Sequence, residues 1–468
     1  MNHSPSQPPA RGTTKQNDAF ALGIDFGTSG ARAVAIDQEG SIQAERSRSF
    51  ESQTPSERAE LWQTTLMELL REVPLEIRKT VGAIAINGTS STVMLCDRHG
   101  RPVVAPRLYN EAVDPSVVKE LEAIAPAHHP VLSATSSLAK LFHWLPQIDS
   151  PVGRFHVDIS DQDTLYFLHQ ADWLAFLLHG QVGISDYHNS LKVGYDVGTL
   201  TYPEWFTGVF DRCAGVPGKR PTVILPRVVE PGGVLGPVTG AIAQTLGFPK
   251  DCVVCAGTTD SIAAFLASGV QHPGEAVTSL GSTLVLKLLS TTRIDDAQYG
   301  VYSHRLGDLW LVGGASNTGG AVLRAFFSDE ELAELSDRIP RHQPSALAYY
   351  PLLAPGERFP VNDPNLVPCI EPRPEDPTEF LHGLLESMAR IEAQGYRLLQ
   401  QLGATPLQTV YTAGGGAKNE SWTHIRSRQL GLEVRRSPQT EAAYGSAQLA
   451  LRSMVNPNAH LTIHHQLR

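Results

Sequence analysis

Asp25-Phe26-Gly27-Thr28-Ser29-Gly30 lies between two apolar runs. Its glycines free the backbone to bend, so that successive N–H groups, with the hydroxyls of Thr28 and Ser29, can converge on one anion such as a phosphate. Asp25, at the lip of that turn, suits a hard cation such as Mg2+, held directly or through water, because that ion prefers carboxylate oxygen. An Asp there also caps ordinary turns. Arg32 on the following strand is a cation for substrate or phosphate, or a solvated strand residue. Gly281-Ser282-Thr283 repeats the device between two further apolar runs, and two such turns could grip a polyphosphate from opposite sides of a cleft. Asp260 follows Gly257-Thr258-Thr259 and opens an apolar helix. It is either the N-cap of that helix or a general base for an attacking hydroxyl. A helix N-terminus favours the ionised carboxylate, and phosphoryl transfer through a loose transition state asks mainly for positioning and late proton acceptance. Gly414-Gly415-Gly416-Ala417-Lys418-Asn419, ahead of another helix, suits close approach of a flat ligand or a phosphate to backbone.

Other chemistries find no support. There is no G-x-x-x-x-G-K-[ST], no G-x-G-x-x-G after a strand and no H-E-x-x-H. Cys252 and Cys255 have redox or half-zinc spacing, but no second pair exists, and Cys252-Val253-Val254-Cys255-Ala256-Gly257 reads as a buried strand. His128-His129 and His464-His465 read as surface residues. Lys plus Arg is 38 and Asp plus Glu is 48, a net charge of -10, which disfavours nucleic acid as a partner. With 41% hydrophobic and 18% charged residues the chain is not of disordered composition. Five cysteines suit a reducing compartment. No run of apolar residues is long enough to cross a membrane, and the polar Met1 to Asn17 reads as a disordered tail without the apolar region of a secretory signal. The cytoplasm is the expected location, and the Asn-x-Ser/Thr matches at Asn87 and Asn419 count as chance.

These groups need a scaffold, and 468 residues predict two or three domains at about 100 to 200 residues each. Ala21 to Asp25, Ala31 to Asp37 and Ile42 to Arg48 read as a meander of strands. A helix follows with Thr54 as N-cap, Pro55 at its first position and Glu57 completing a capping box; Trp62, Leu66, Leu69, Leu70 and Val73 fall on one face. Gly82 to Asn87 and Thr92 to Asp97 are further strands. Past the Pro- and Gly-rich stretch around Pro226 to Gly247 the layout recurs: Val253 to Ala256, a helix ending at Gly269, then Ala276 to Leu280 and Leu284 to Leu289. A long amphipathic helix bearing Leu381, Leu384, Leu385, Met388, Ile391, Leu398 and Leu402 precedes the strand Thr409 to Tyr411, the glycine cluster and a helix from Ser421 to Leu430.

In this order the segments resemble the FGGY carbohydrate kinase family, within the superfamily of actin-like proteins, sugar kinases and heat-shock ATPases, from Phe20 to about Met454. Leu22 to Gly30 looks like that family's first phosphate motif, Ser279 to Thr283 like the second, and Gly257 to Asp260 like the segment with its catalytic Asp. Gly313 to Gly320 and Gly414 to Asn419 are similar to its nucleotide-side loops. The resemblance implies an α/β, two-domain, actin-like and ribonuclease H-like ATPase fold, with mixed sheets flanked by helices and a cleft between the domains. It implies a tail over 1–18, a sugar-binding domain over 19–245 and an ATP-binding domain over 246–468, closing on substrate about a hinge. Asp260 and Asp25 would be catalytic, with Asp25 also placing Mg2+. Thr28, Arg32, Thr89, Ser90 and Ser91 would join those two acids around the sugar. Gly27, Thr28, Ser29, Gly281, Ser282, Thr283, Gly319, Gly320, Gly415, Gly416 and Asn419 would hold ATP.

Substrate choice is where the chain departs from familiar members. Xylulose kinases have Gln-Met-His-Gly where this chain has Thr89-Ser90-Ser91-Thr92, and Leu108-Tyr109-Asn110-Glu111 replaces the usual Trp-Asn-Asp or Trp-Asp-Arg. With Asp25 to Arg32, these segments look most like the cyanobacterial and plant branch that acts on D-ribulose. The resemblance therefore implies an ATP-dependent kinase of a ketopentose, D-ribulose before D-xylulose or another polyol, working as a monomer or homodimer. The competing classes are a chaperone-like ATPase and a non-catalytic sugar- and ATP-binding protein on the same fold.

Overall fold

The structure is a computed structural model that describes residues 19–51, 54–148, 164–213 and 222–455. The expected tail over 1–18 and the pair His464-His465 lie outside the described residues.

The meander forms as expected. Phe20–Phe26, Gly30–Ile36 and Ile42–Ser49 are successive antiparallel strands. The first two are almost wholly buried, whereas the third is an edge strand whose Arg and Glu side chains face water, a composition that blunts edge-to-edge pairing. Val81–Gly88 joins Phe20–Phe26 in parallel on the other side, followed by Val253–Cys255 in parallel and Val234–Pro237 antiparallel. The capping box is present, with the Thr54 amide donating to Glu57 Oε2 at 2.8 Å. A short 3-10 turn, Pro55–Glu57, precedes the α-helix Arg58–Glu72, which buries Trp62, Leu66, Leu69 and Leu70 against this sheet.

The second sheet repeats the plan. Glu275–Leu280 and Leu284–Ser290 form a hairpin, Leu309–Ser316 and Tyr302–Leu306 extend it antiparallel, and Thr409–Ala413 and Val434–Arg436 add in parallel on the far side. The long helix Pro377–Gln401 covers one face, burying Leu381, Leu384, Leu385, Met388 and Ile391. Equivalent strands thus carry the two glycine turns, which explains why the same device occurs twice in the sequence.

The halves do not separate where the Pro- and Gly-rich stretch suggests. Val253–Cys255, expected to open the second half after a boundary at 245/246, is hydrogen-bonded into the first sheet beside Val81–Gly88. The final helix, Ala442–Val455, also returns to the first sheet. Together with Asp260–Ala267 it buries Ala21, Val34, Ala83 and Cys255 from the first sheet in one apolar core with Val277, Leu289 and Leu311 from the second. Strand pairing overrides local composition here, because a strand's backbone groups need partners and the open parallel edge lies in the first sheet. The same burial makes Cys252 and Cys255 inert, pushing their thiols up to about 12 and about 11.

Candidate active site

Asp25 sits opposite Arg32 and Asn87 at the end of the first strand. The turn beyond it closes with the Gly27 amide donating to the Gly30 carbonyl at 2.9 Å, leaving Thr28 and Ser29 exposed. Asp25 Oδ1 is buried with no hydrogen-bond partner. Burial pushes this carboxyl up to about 7, the charges of Asp260 and then Glu441 add to the rise, and Arg32 opposes it. Arg32 itself is committed to Glu441 and to Glu45, the latter at 3.2 Å.

Asp260 is brought to this corner by a glycine contact. A Cβ on Gly257 would collide with the Ile86 carbonyl, so only glycine lets the Gly257 segment run against the end of Val81–Gly88, where Gly88 bridges Thr259. The N-cap position belongs to Thr259, and Asp260 is the first helical residue, its Oδ1 accepting from the Ser261 amide at 2.7 Å. The expected N-cap reading of Asp260 is corrected by one position. Burial raises the Asp260 carboxyl, while the Ser261 amide, Lys287, Lys192 and the Ser90 amide pull it back toward the ionised form. Asp25 therefore feels the charge of Asp260 across this corner.

Sequence reasoning missed three groups around Asp260 and the segment that leads into it. Lys287, from the second sheet, donates to the Ser261 carbonyl at 2.7 Å, and burial draws its ammonium down to about 8. Lys192 is also drawn down by burial and feels the Asp260 charge. His188 Nδ1 lies 2.7 Å from Thr258 Oγ1 and Nε2 lies 2.6 Å from the Arg305 carbonyl, so Nε2 carries the proton and Nδ1 accepts from threonine. Burial keeps this ring neutral, at about 4. Only Lys287 left a trace in the sequence, a cation inside the apolar run Leu284 to Leu289.

The second glycine turn is where three segments converge. The Gly320 amide donates to the Gly281 carbonyl at 2.9 Å, and a Cβ on Gly319 would stand 2.7 Å from the Thr283 carbonyl carbon. Gly414 has φ +84, and a Cβ there would meet the Leu280 carbonyl oxygen at 2.7 Å. Gly415 faces open space, and a Cβ on Gly416 would press on Leu280 Cβ at 2.8 Å. Gly281, Ser282, Thr283, Gly319, Gly320, Gly415 and Gly416 thus gather at the end of Glu275–Leu280. Arg324 donates to Ser282 Oγ at 3.0 Å and adds a cation that sequence reasoning did not single out.

Two expected contacts are spent elsewhere. Asn419 caps the helix Glu420–Leu430, its Oδ1 accepting from the Trp422 amide at 2.9 Å and its Nδ2 donating to Ser336 Oγ at 2.8 Å, so the side chain is not free for nucleotide. Thr89 is buried, and its amide and hydroxyl both lie on Gln170 Oε1, at 3.1 and 3.2 Å, so it braces the loop and does not face a sugar. Ser90 and Ser91 remain. The Ser90 amide favours the ionised form of Asp260, and Ser91 is held at φ 66 with a buried, unpartnered hydroxyl.

Comparison with known proteins decides the family. The model of the N-terminal domain of the FGGY family of carbohydrate kinases matches residues 20–267, and that of its C-terminal domain matches 276–454. The chain belongs to the FGGY family of carbohydrate kinases. It is an ATP-dependent sugar phosphotransferase on the two-domain, actin-like fold. The first family match runs past 245/246 and takes in both Val253–Cys255 and Asp260. Similar proteins include a xylulose kinase of Staphylococcus epidermidis, 24% identical over 92% of this chain and 87% of the relative. An autoinducer-2 kinase of Yersinia enterocolitica is 24% identical over 90% and 84%. Among solved structures, the xylulose kinase of Rhodospirillum rubrum superposes with a TM-score of 0.74 at 21% identity, over 94% of this chain and 90% of that one. No helix among the described residues of this family member is long and apolar enough to cross a membrane.

The raised Asp25 carboxyl has a consequence for stability. Its folded value of about 7 exceeds an unfolded value of about 4, so the folded state holds the proton more tightly between those limits. The resulting penalty is absent below about pH 4 and complete above about pH 7. Asp25→Asn is therefore expected to melt several degrees above the wild type at pH 8 and level with it at pH 4.5. Equal melting points at pH 8 would show that this carboxyl is not strained by its surroundings.

Proposed function

We propose that this enzyme transfers the γ-phosphoryl group of ATP to the terminal hydroxyl of a ketopentose, with D-ribulose as the preferred substrate, giving D-ribulose 5-phosphate, and D-xylulose as the second. The observation that carries this reading is Asp25, at the lip of the first glycine turn, lying within the field of Asp260, with the second glycine turn built on the equivalent strands. Asp260 takes the proton of the sugar hydroxyl as the new O–P bond forms, and the bond from the γ-phosphorus to ADP breaks on the opposite side. The Ser261 amide and the two lysines oppose the rise that burial imposes on the Asp260 carboxyl and so favour the form that can take the proton. Thr28 and Ser29 on one side, and Gly281 to Thr283 with Arg324 on the other, offer the phosphates amides, hydroxyls and a cation.

The residues present fit Mg2+. Asp25 Oδ1 is a buried carboxylate oxygen without a protein partner, and Asp25 would hold the ion directly or through water. Bound there, the ion would neutralise phosphate charge. Closure of the two lobes over the pair would exclude water and limit wasteful ATP hydrolysis.

The preference for D-ribulose rests on the sugar-side loop. Two serines at 90 and 91 stand where xylulose kinases carry a thioether and an imidazole, and the Ser90 amide favours the ionised Asp260. Replacing Ser90 and Ser91 together by Ala is expected to raise the sugar KM roughly 10-fold, the loss of one or two hydrogen bonds, and to leave ATP affinity unchanged. An unchanged sugar KM would remove both residues from the pocket.

The deciding experiment is ADP release with D-ribulose, D-xylulose, L-ribulose, glycerol and D-gluconate. The highest kcat/KM is expected with D-ribulose. A higher value with D-xylulose would reassign the substrate, and no sugar-dependent release at all would overturn the kinase reading.

A further inference from the structure

The two segments in which this chain departs from xylulose kinases, Thr89 to Thr92 and Leu108 to Glu111, are separated by residues 93–107 and share one cation. Lys140, on the helix Ser137–Ile148, is fully buried, and its ammonium donates to the Ser91 carbonyl at 2.8 Å and to the Leu108 carbonyl at 2.6 Å. A second link ties the same segments, since the Tyr109 amide donates to Thr92 Oγ1 at 3.0 Å. The 108–111 side is itself anchored to the rest of the lobe, with Glu111 in an ion pair with Arg58 at 2.7 Å and Arg107 bonded to the Ala112 carbonyl at 2.9 Å.

Burying an ammonium is costly unless its donors are used, and this one is not matched by a buried carboxylate in contact. Glu111 attracts it, Arg107 and Lys192 repel it, and burial draws it down to about 7. The site carries that cost at the place where backbone geometry is also unfavourable. Ser91 stands at φ 66, a conformation that a residue with a Cβ adopts only when its surroundings impose it. The Lys140 bond to its carbonyl is one such constraint. Because Ser91 lies three residues past Gly88, which bridges Thr259 next to Asp260, and follows Ser90, whose amide favours the ionised Asp260, the constraint acts on the wall beside Asp260.

We propose that Lys140 is a positioning residue that selects the sugar, locking the segments around Ser91 and Leu108 into one wall whose shape decides which ketopentose presents its hydroxyl to Asp260. This rests on the ketopentose kinase reading above. Lys140 does not touch the substrate; it acts through Ser91.

Lys140→Met keeps the length of the side chain and removes the donors. The expected result is a sugar KM at least 10-fold higher and a ratio of kcat/KM for D-ribulose over D-xylulose changed by about 5-fold or more, with ATP KM within about 2-fold. Thr92→Val cuts the second link, together with the bond between the Thr92 and Thr89 hydroxyls, with no charge involved, and is expected to shift sugar KM and the ratio in the same direction by about 3-fold. If Lys140→Met fails to fold, Thr92→Val decides the question. A fall in melting temperature with the sugar KM and the ratio unchanged would overturn the proposal, because a merely structural brace would act that way. A wild type that releases ADP with no ketopentose sinks the functional reading instead. An active wild type whose sugar preference ignores both substitutions sinks this inference alone.

Discussion

Asp260→Asn is expected to lower kcat about 1,000-fold while leaving ATP binding and the fold intact, since general-base removal typically costs 10²- to 10⁴-fold. The geometry explains why the loss falls on turnover. Asn keeps the oxygen that accepts from the Ser261 amide at 2.7 Å, so the first helical turn stays in place, and it loses only the capacity to take a proton. It also removes one of the charges that raise Asp25 and leaves Lys192 and Lys287 without their carboxylate. Asp25 should therefore titrate lower in the variant, visible by carboxyl-resolved NMR. Turnover within a few-fold of the wild type would reduce Asp260 to a first-turn helix residue and leave the reaction without a base.

The second large effect is on stability. In the final helix, a Cβ on Gly445 would collide with the Ala263 carbonyl, and a Cβ on Gly23 would collide with the Ala443 carbonyl and the Ala447 amide. Helix propensity alone predicts that Gly445→Ala stabilises by about 1 kcal/mol. The collision predicts the opposite sign, because the obstacle is backbone of the helix Asp260–Ala267, which cannot rotate away. We expect a net loss of about 3 kcal/mol or more in denaturant unfolding, at the upper end for overpacked cores. Turnover should fall with it, since the helix lies in the apolar core shared by both sheets and Asp260 opens the helix it presses on. A stabilised Gly445→Ala would mean that the two helices do not meet as described.

Reading the chain as a sequence succeeded where the signal was local. The glycine turns at 27–30 and 281–283, the capping box at Thr54 and the amphipathic helix over Pro377–Gln401 are set by neighbouring residues and lie within a residue or a few of their expected places. It failed where the answer was a direction. Thr89 and Asn419 have the right types in the right segments, yet one bonds Gln170 and the other caps a helix, and spacing does not say which way a side chain turns. It failed again where the partner is remote. Lys140 and Lys192 look like unremarkable cations until the fold buries the first against the Ser91 carbonyl and brings the second near Asp260.

By itself, then, the sequence determined the repeated strand–turn–strand units and the family, and named candidates for binding phosphate and accepting a proton, because backbone conformation and residue chemistry are properties of short stretches. Only the tertiary structure decided that Val253–Cys255 completes the first sheet, that Asp25 and Asp260 share one electrostatic environment, and that one buried lysine joins two loops. Hydrogen-bond completion, desolvation and charge coupling depend on which groups lie a few ångströms apart in space, and that distance is fixed by packing between segments that the chain itself keeps far from one another.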